Sequence, residues 1–496
     1  MPAFSLEPSQ TARCAELRAL AEERLRPLAE KGEPGRVNRP LVAELGRLGL
    51  LERLFTSGAL DLCLMRESLA QACTEAETAL ALQGLGAHPV HAHGTPAQRE
   101  RWLPAVSEGS AVAAFALSEP GAGSDAASLG LRAEGDQVGS VGTPGVRAEG
   151  EPVGRGAAEQ SGAARWERGR ADSEATGARV ETQRSGSESA APGSQAGRGS
   201  AWQGAEGARA GWESVWQGAE GAQAGWESVR RGAAGPSTGL EPGSAAGASA
   251  RPVAVPDGAS RWRLTGEKCW ISNAPEADFY TVFARTTPGA GARGVTAFLV
   301  PADRPGLTGT ALDMLSPHPI GALAFDAVPV SADDVLGEVD RGFRVAMDTL
   351  NLFRPSVGAF AVGMAQAALE ATLAHTARRD AFGGKLRDLQ SVAHTVAEMA
   401  LRTDAARLMV YAAATAYDEG APDVPKRAAM AKLLATETAQ YVVDTAVQLH
   451  GARALQRGHL LEHLYREVRA PRIYEGASEV QRGIIAKELY ADVEVS

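Results

Sequence analysis

Cysteine is scarce in this chain of 496 residues: Cys14, Cys63, Cys73 and Cys269 are its four, with no CxxC spacing. That speaks against a disulfide framework and a zinc site, so no metal is expected, and it fits a reduced, cytoplasmic setting. Positive charge is short as well. With 50 Lys and Arg against 60 Asp and Glu the formal net charge is −10, whereas a nucleic-acid partner ordinarily demands a basic face. No basic stretch followed by an apolar run opens the sequence, so no secretory signal is expected. Nor is there an unbroken apolar run of about eighteen residues, so no membrane span is expected. The expectation is a soluble intracellular enzyme or binding protein with about two to four domains.

Three textures follow one another along the chain. Residues 1–110 read as helical, with Leu and Ala at three- and four-residue spacing over Thr11 to Glu30, Leu41 to Leu51 and Leu60 to Leu82. Gly86, Pro96 and Gly109 read as punctuation in the later part. Residues 111–137 and 260–335 carry short apolar runs bounded by Gly, Pro and Asn: Ala113 to Leu117, Trp262 to Trp270, Phe279 to Arg285, Val295 to Val300 and Ala322 to Val328. These predict strands of an antiparallel sheet or barrel. Residues 336–496 return to long helices, with Leu350, Phe353, Val357, Phe360 and Met364 on one stripe.

Residues 138–259 belong to neither texture. They are rich in Gly, Ala, Ser, Glu and Arg and nearly devoid of Leu, Ile and Phe, a composition that cannot offset its ordering entropy by burial. Trp202 to Val215 recurs almost verbatim as Trp216 to Val229, too few copies for a solenoid. A disordered repeat expansion is the expected state, with a tryptophan-based recognition element as the alternative.

Local chemistry concentrates in four stretches. In Tyr474-Glu475-Gly476-Ala477-Ser478-Glu479 a carboxylate lies between an aromatic residue and a glycine, just before an amphipathic helix. Gly476 admits a close backbone approach, and Ser478 is expected to cap the helix with Glu479 in its first turn. Glu475 is therefore placed like a general base. In Phe115-Ala116-Leu117-Ser118-Glu119-Pro120-Gly121-Ala122-Gly123-Ser124-Asp125 a strand ends in a turn whose N–H groups and the Ser118 and Ser124 hydroxyls suit a polar ligand edge. In Trp270-Ile271-Ser272 an indole can stack on an aromatic cofactor while the hydroxyl reaches a ring nitrogen. In Arg379-Asp380-Ala381-Phe382-Gly383-Gly384, with Gln390 beyond it, an arginine beside a glycine-relieved turn can grip a pyrophosphate.

Together these stretches resemble the acyl-CoA dehydrogenase family over about residues 8–137 and 260–492. The resemblance implies an α+β multi-domain fold: an N-terminal helical domain, a middle β-barrel or sandwich and a C-terminal four-helix bundle, with 138–259 inserted in a hairpin of the β domain. It implies FAD as cofactor and α,β-dehydrogenation of an acyl thioester, placing the chain in fatty acid metabolism. Glu475 is the implied α-proton base. Phe115, Leu117, Ser118, Ser124, Trp270, Ile271, Ser272, Ala477 and Glu479 border the flavin by this resemblance, with Ser124 also near the thioester. Arg379, Phe382 and Gln390 belong to the diphosphate and adenosine, reaching across a subunit boundary. Gln448 and Gly451 stand in a stretch near the adenine, where Ala452 and Ala454 replace family glycines. Asn351, Arg354, Tyr474 and Gly476 lie toward the substrate. Asn351 replaces a frequent acidic residue, so the carrier is CoA or an acyl carrier protein. Ala477 replaces a hydroxyl residue, and the region Leu51 to Asp61 lacks the family's Gly-Gly loop. A homotetramer and an electron-transfer flavoprotein as acceptor are implied likewise. Two alternatives stand: a flavin monooxygenase or nitroalkane-oxidase-type enzyme on the same fold, against which Glu475 speaks, and a flavin-free scaffold working through the Trp-rich segment.

Overall fold

Helix boundaries follow from capping chemistry. In a computed structural model that describes residues 6–135 and 262–494, Asn38 accepts from the Leu41 N–H (3.1 Å) to start one helix. Thr95 and Gln98 form a reciprocal capping box ahead of Pro96 to start another. The N-terminal helices are α1 (Pro8–Leu20), α2 (Arg26–Ala29), α3 (Arg39–Arg47), α4 (Arg53–Thr56), α5 (Ala59–Ala72), α6 (Thr74–His93) and α7 (Pro96–Ser107). The helical stretch Leu60 to Leu82 falls in two helices, parted where Cys73 turns extended (φ −152°). Gly86 is not a breaker. It lies inside α6, where a Cβ would fall 2.6 Å from the Ala114 nitrogen, so its job is to let the helix approach the sheet.

The sheet has eight strands: β1 (Ala113–Ala116), β2 (Arg132–Gly135), β3 (Trp262–Ser272), β4 (Phe279–Arg285), β5 (Val295–Pro301), β6 (Leu307–Leu312), β7 (Ile320–Val330) and β8 (Val335–Leu336). Their order is β6-β7-β3-β2-β4-β5-β8, with β1 beside β4. The sheet is antiparallel apart from β1 and β2, which each run parallel to β4. β2 and β3 pair from Arg132↔Thr265 to Gly135↔Trp262, so the chain leaves and re-enters the sheet at directly opposed residues. The segment 138–259 and its tryptophan repeat lie outside the described residues.

After the sheet come α8 (Gly342–Arg378), a small hairpin of β9 (Asp380–Ala381) and β10 (Gly384–Lys385), then α9 (Gln390–Asp418), α10 (Val424–His450), α11 (Leu460–Glu467) and α12 (Ser478–Glu494). The predicted stripe of α8 is buried throughout. Contrary to the expectation of no apolar stretch of spanning length, α8 is long and apolar enough to cross a membrane by length and composition. Most of that stretch is buried within the protein. One apolar cluster joins Leu62, Met65 and Leu69 of α5 to Phe360 and Met364 of α8 and to Val410, Val442 and Val443 of α9 and α10. Helices separated in sequence by the sheet thus share a core, and α8, α10 and α12 all send side chains to the loop between α11 and α12.

Candidate active site

That loop is strained. Glu475 (φ 52°) and Gly476 (φ 96°) both adopt left-handed backbone, a conformation uncommon for any residue with a Cβ. At Gly476 a Cβ would also fall 2.5 Å from Gln481 Nε2. Three helices send donors to the loop's carbonyls. Arg354 Nε of α8 donates to Glu475 O (3.3 Å). Gln481 Nε2 of α12 donates to Glu475 O (3.2 Å) and Gly476 O (2.8 Å), and Lys432 Nζ of α10 donates to Gly476 O (2.7 Å). Ser478 is not the expected cap: it is the first helical residue of α12, and its hydroxyl donates to Glu437 Oε1 (2.6 Å).

The turn leaves the Glu475 carboxylate facing inward, with Oε2 buried and without a hydrogen-bond partner. Burial pushes its pKa above the ordinary 4.5, while Arg66, Lys432 and Arg354 pull the other way, Arg66 most strongly. Arg66 is itself 3 % exposed. It donates to the Glu77 carboxylate and, through Nη1, to Ser356 Oγ (2.7 Å). Lys432 is fully buried, which pushes its ammonium down to about 8. Asn351 accepts from Arg354 Nη1 at 3.5 Å, the long limit of a hydrogen bond. Tyr474 is half-buried, its phenol held neutral by desolvation.

Sequence reasoning missed Arg66, Glu77, Ser356, Lys432 and Gln481. A signal existed. Arg66 interrupts the apolar stretch Leu62-Cys63-Leu64-Met65, and Lys432 interrupts an alanine-rich one; a charge on a core face demands a buried partner.

The Ser118 and Trp270 stretches are brought together where the turn after β1 meets β3. Lys268, fully buried, donates to Leu117 O (3.0 Å) and Glu119 Oε1 (2.7 Å). Glu119 also accepts from Leu131 N (3.0 Å). Cys269 N donates to Ser118 O (3.0 Å), a backbone bond that ties the two stretches directly to each other. Trp270 is left-handed (φ 57°) and 49 % exposed, so its indole is turned outward. Ser118 and Ser272 are half-buried and Ser124 is exposed. Leu117 and Ile271 are buried in the apolar clusters of the sheet region, and the Phe115 ring packs on Phe283 (4.9 Å between centroids). These last three residues offer a ligand mainly their backbone.

The remaining residues gather at one end of the bundle. His375 of α8 stacks on His450 of α10 with ring centroids 4.2 Å apart, joining the Arg379 turn to the Gln448–Gly451 turn. Arg378, Arg379 and Arg453 make no ion pair with a described residue. All three help to depress the His375 imidazole, after burial and His450. Arg379, Gln390, Gln448 and Gly451 are exposed, and Phe382 (φ 54°) is 89 % exposed. Ala452 and Ala454 lie in a 3₁₀ turn without left-handed φ, so neither substitution strains the backbone. Ala477 is half-buried, and Glu479 is exposed beside Arg482 (3.4 Å).

These features fit a flavin dinucleotide: an outward indole beside hydroxyls, unpaired arginines for a diphosphate and a buried carboxylate oxygen without a partner.

Comparison with known proteins agrees. The chain matches the acyl-CoA dehydrogenase N-terminal domain over residues 7–110, the middle domain over 238–328 and the C-terminal domain over 340–490. It is 38% identical over 252 residues to a probable acyl-CoA dehydrogenase of Mycobacterium tuberculosis, covering 50% of this chain and 64% of that one. Against the mitochondrial short-chain specific acyl-CoA dehydrogenase of Bos taurus it is 38% identical over 252 residues, covering 50% and 61%. The matched region thus spans less than two thirds of these relatives' length. Butyryl-CoA dehydrogenase from Megasphaera elsdenii shares the fold at a TM-score of 0.69 and 24% identity, covering 98% of this chain and 99% of that one. A glutaryl-coenzyme A dehydrogenase complex does so at 0.70 and 22%, covering 98% and 96%. With all three domains matched in order, the chain belongs to the FAD-dependent acyl-CoA dehydrogenase family.

Proposed function

We propose that the protein catalyses FAD-dependent α,β-dehydrogenation of an acyl thioester, an acyl-CoA in the first instance, to the trans-2,3-enoyl thioester. The observation that carries this reading is the Glu475 carboxylate: buried at Oε2, without a hydrogen-bond partner and acted on by three cations. An α-proton is a weak acid, so its removal needs both a base and stabilisation of the developing negative charge. Glu475 is the base. Its raised pKa brings it closer to that of the proton it must accept. Arg66, Arg354 and Lys432 surround it with positive charge, which opposes the effect of burial on the carboxylate and favours the electron-rich acyl group formed as the proton leaves.

FAD, when bound, supplies the acceptor for the hydride that leaves the β-carbon. Phe115, Leu117, Ser118, Ser124, Trp270, Ile271, Ser272, Ala477 and Glu479 would hold its flavin end. Arg379, Phe382, Gln390, Gln448 and Gly451 would hold the diphosphate and adenosine, with the exposed Phe382 turn reaching a second copy in a homotetramer. Ser124, Asn351, Arg354, Tyr474 and Gly476 would border the thioester. An electron-transfer flavoprotein as acceptor, a cytoplasmic setting and a place in fatty acid metabolism complete the proposal.

The test is anaerobic bleaching of the purified protein's flavin absorbance by a panel of acyl-CoAs. Rapid bleaching by one of them, lost in Glu475→Gln, is the expected result. A yellow protein that no thioester bleaches would sink it.

A further inference from the structure

The left-handed turn at Glu475 and Gly476 has two consecutive carbonyls that must find partners in the protein interior. Each accepts from side chains of two helices, and Gln481 serves both. Lys432 reaches from α10 to Gly476 O (2.7 Å), and Gln481 reaches back from the first turns of α12 to both oxygens (3.2 and 2.8 Å). Both side chains are fully buried. A buried ammonium is retained only where something compensates it, and here the compensation is a loop carbonyl together with the charge of Glu475. Gln481 presents its amide nitrogen to the loop while its Oε1 stays buried and unpartnered. Each side chain makes its hydrogen bonds only to this loop.

We propose that Lys432 and Gln481 are positioning residues: together they clamp the Glu475–Gly476 backbone in its left-handed turn and so aim the Glu475 carboxylate at the substrate. The proposal rests on Glu475 being the base. Neither residue touches the reacting atoms: the clamp works through the two carbonyls, alongside the positive charge that Lys432 places near Glu475. The strained turn would otherwise relax toward ordinary backbone, swinging the carboxylate away from its inward orientation. Arg354 Nε adds a weaker third hold at 3.3 Å. The arrangement also explains why the residue after the base is glycine, since Gln481 Nε2 occupies the space a Cβ would need.

The experiment uses the full chain with bound FAD and compares wild type with Lys432→Met, Gln481→Met and Lys432→Arg. Two quantities are read: the anaerobic rate of flavin bleaching by an acyl-CoA, normalised to bound flavin, and amide hydrogen exchange of the peptide covering residues 470–482. In Lys432→Met the bleaching rate should fall about 100-fold at saturating thioester, with KM little changed, as expected for a misaligned base. Exchange in the peptide should quicken by about tenfold or more. Gln481→Met should move both in the same direction, and Lys432→Arg, which keeps a charged donor, should recover much of the rate. Unchanged exchange in both Met variants would overturn the clamp, and quickened exchange with an undiminished rate would overturn its role in aiming the base. Were no acyl-CoA to bleach even the wild type, the proposed reaction and the aiming role would fall together. The exchange arm would then still decide whether the two residues hold the loop.

Discussion

Around Glu475 the cations are inside the protein: Arg66 is 3 %, Arg354 5 % and Lys432 0 % exposed, each with hydrogen bonds to named partners. At the other end Arg378, Arg379 and Arg453 are outside, with no ion pair to a described residue, beside a Phe382 ring that is 89 % exposed. Both regions draw on the same helices, α8 and α10, and both rely on arginine. The difference lies in who supplies the counter-charge. Near Glu475 the chain supplies its own, through Glu77, Glu475 and the loop carbonyls. At the Arg379 turn the nearest carboxylate, Asp380, is taken up by Lys385 (2.7 Å), and no described carboxylate pairs with Arg378, Arg379 or Arg453, which is the condition of a surface built for something not belonging to this chain. A catalytic base must be pre-organised before the substrate arrives, whereas a cofactor grip need only be complete in the assembly that holds the cofactor.

The largest effect that would break this contrast is on chemistry. Glu475→Gln should lower the rate of flavin bleaching by about 10² to 10⁴-fold while leaving the flavin bound; a smaller loss would mean another residue takes the proton. Next in size is stability. Arg66→Met strands Glu77 as a buried, unpaired charge and should cost about 3–5 kcal/mol in chemical denaturation. Replacing both partners, Arg66→Met with Glu77→Leu, should recover most of that, because two well-packed apolar side chains need no counter-charge. If the single and double variants were equally unstable, the pair would not be the self-sufficient unit its geometry implies.

The double variant also sharpens the electrostatics. As the proposed base Glu475 must work deprotonated, and its pKa in the folded protein is already above the ordinary 4.5 because burial outweighs the nearby cations. The bleaching rate should therefore rise with pH along an acid limb lying above 4.5. Arg66 is the strongest of the groups that lower this pKa. Removing it leaves burial less opposed, so the limb should move further up in the double variant. A limb that stays in place, followed by stopped-flow bleaching across pH, would show that Arg66 does not govern the base.

Much of the fold is legible in periodicity. The α8 stripe falls where the apolar spacing puts it because its buried face repeats, whereas β4 and β5 are legible as short unbroken apolar runs, buried on both faces. β6 is not legible: Leu307–Leu312 is half-buried at its ends and exposed between, so it lacks the alternation that betrays a strand. Gly86 misleads because a glycine that permits close packing looks, in sequence, like one that ends a helix. At the site, Glu475 is legible through its motif and Arg354 through its resemblance to a residue near that motif. Arg66, Glu77 and Lys432 are not, since charged residues are presumed exposed until a fold brings their partners together. The left-handed backbone of Glu475 is equally hidden: nothing in the residue type asks for it, and only the surrounding donors hold it.

The smallest effects belong to the exposed region, and they are diagnostic because they should be small in one measurement and plain in another. Phe382 packs against little of its own chain, so Phe382→Ser should shift the unfolding free energy of the flavin-free protein by no more than about 0.5 kcal/mol. Arg379→Ala, which removes an unpaired exposed charge, should do the same. Flavin retention is another matter. A charge-assisted hydrogen bond to a phosphate contributes about 1.5–3 kcal/mol, so Arg379→Ala should weaken FAD binding by roughly tenfold to a hundredfold. If a second copy completes that grip, occupancy in the wild type should also fall on dilution, as mass action requires of a site shared between subunits. Titrating flavin at two protein concentrations reads this directly. A concentration-independent affinity would mean that one chain closes the site by itself, and the exposed arginines would then need a different explanation from the one their lack of counter-charge supports.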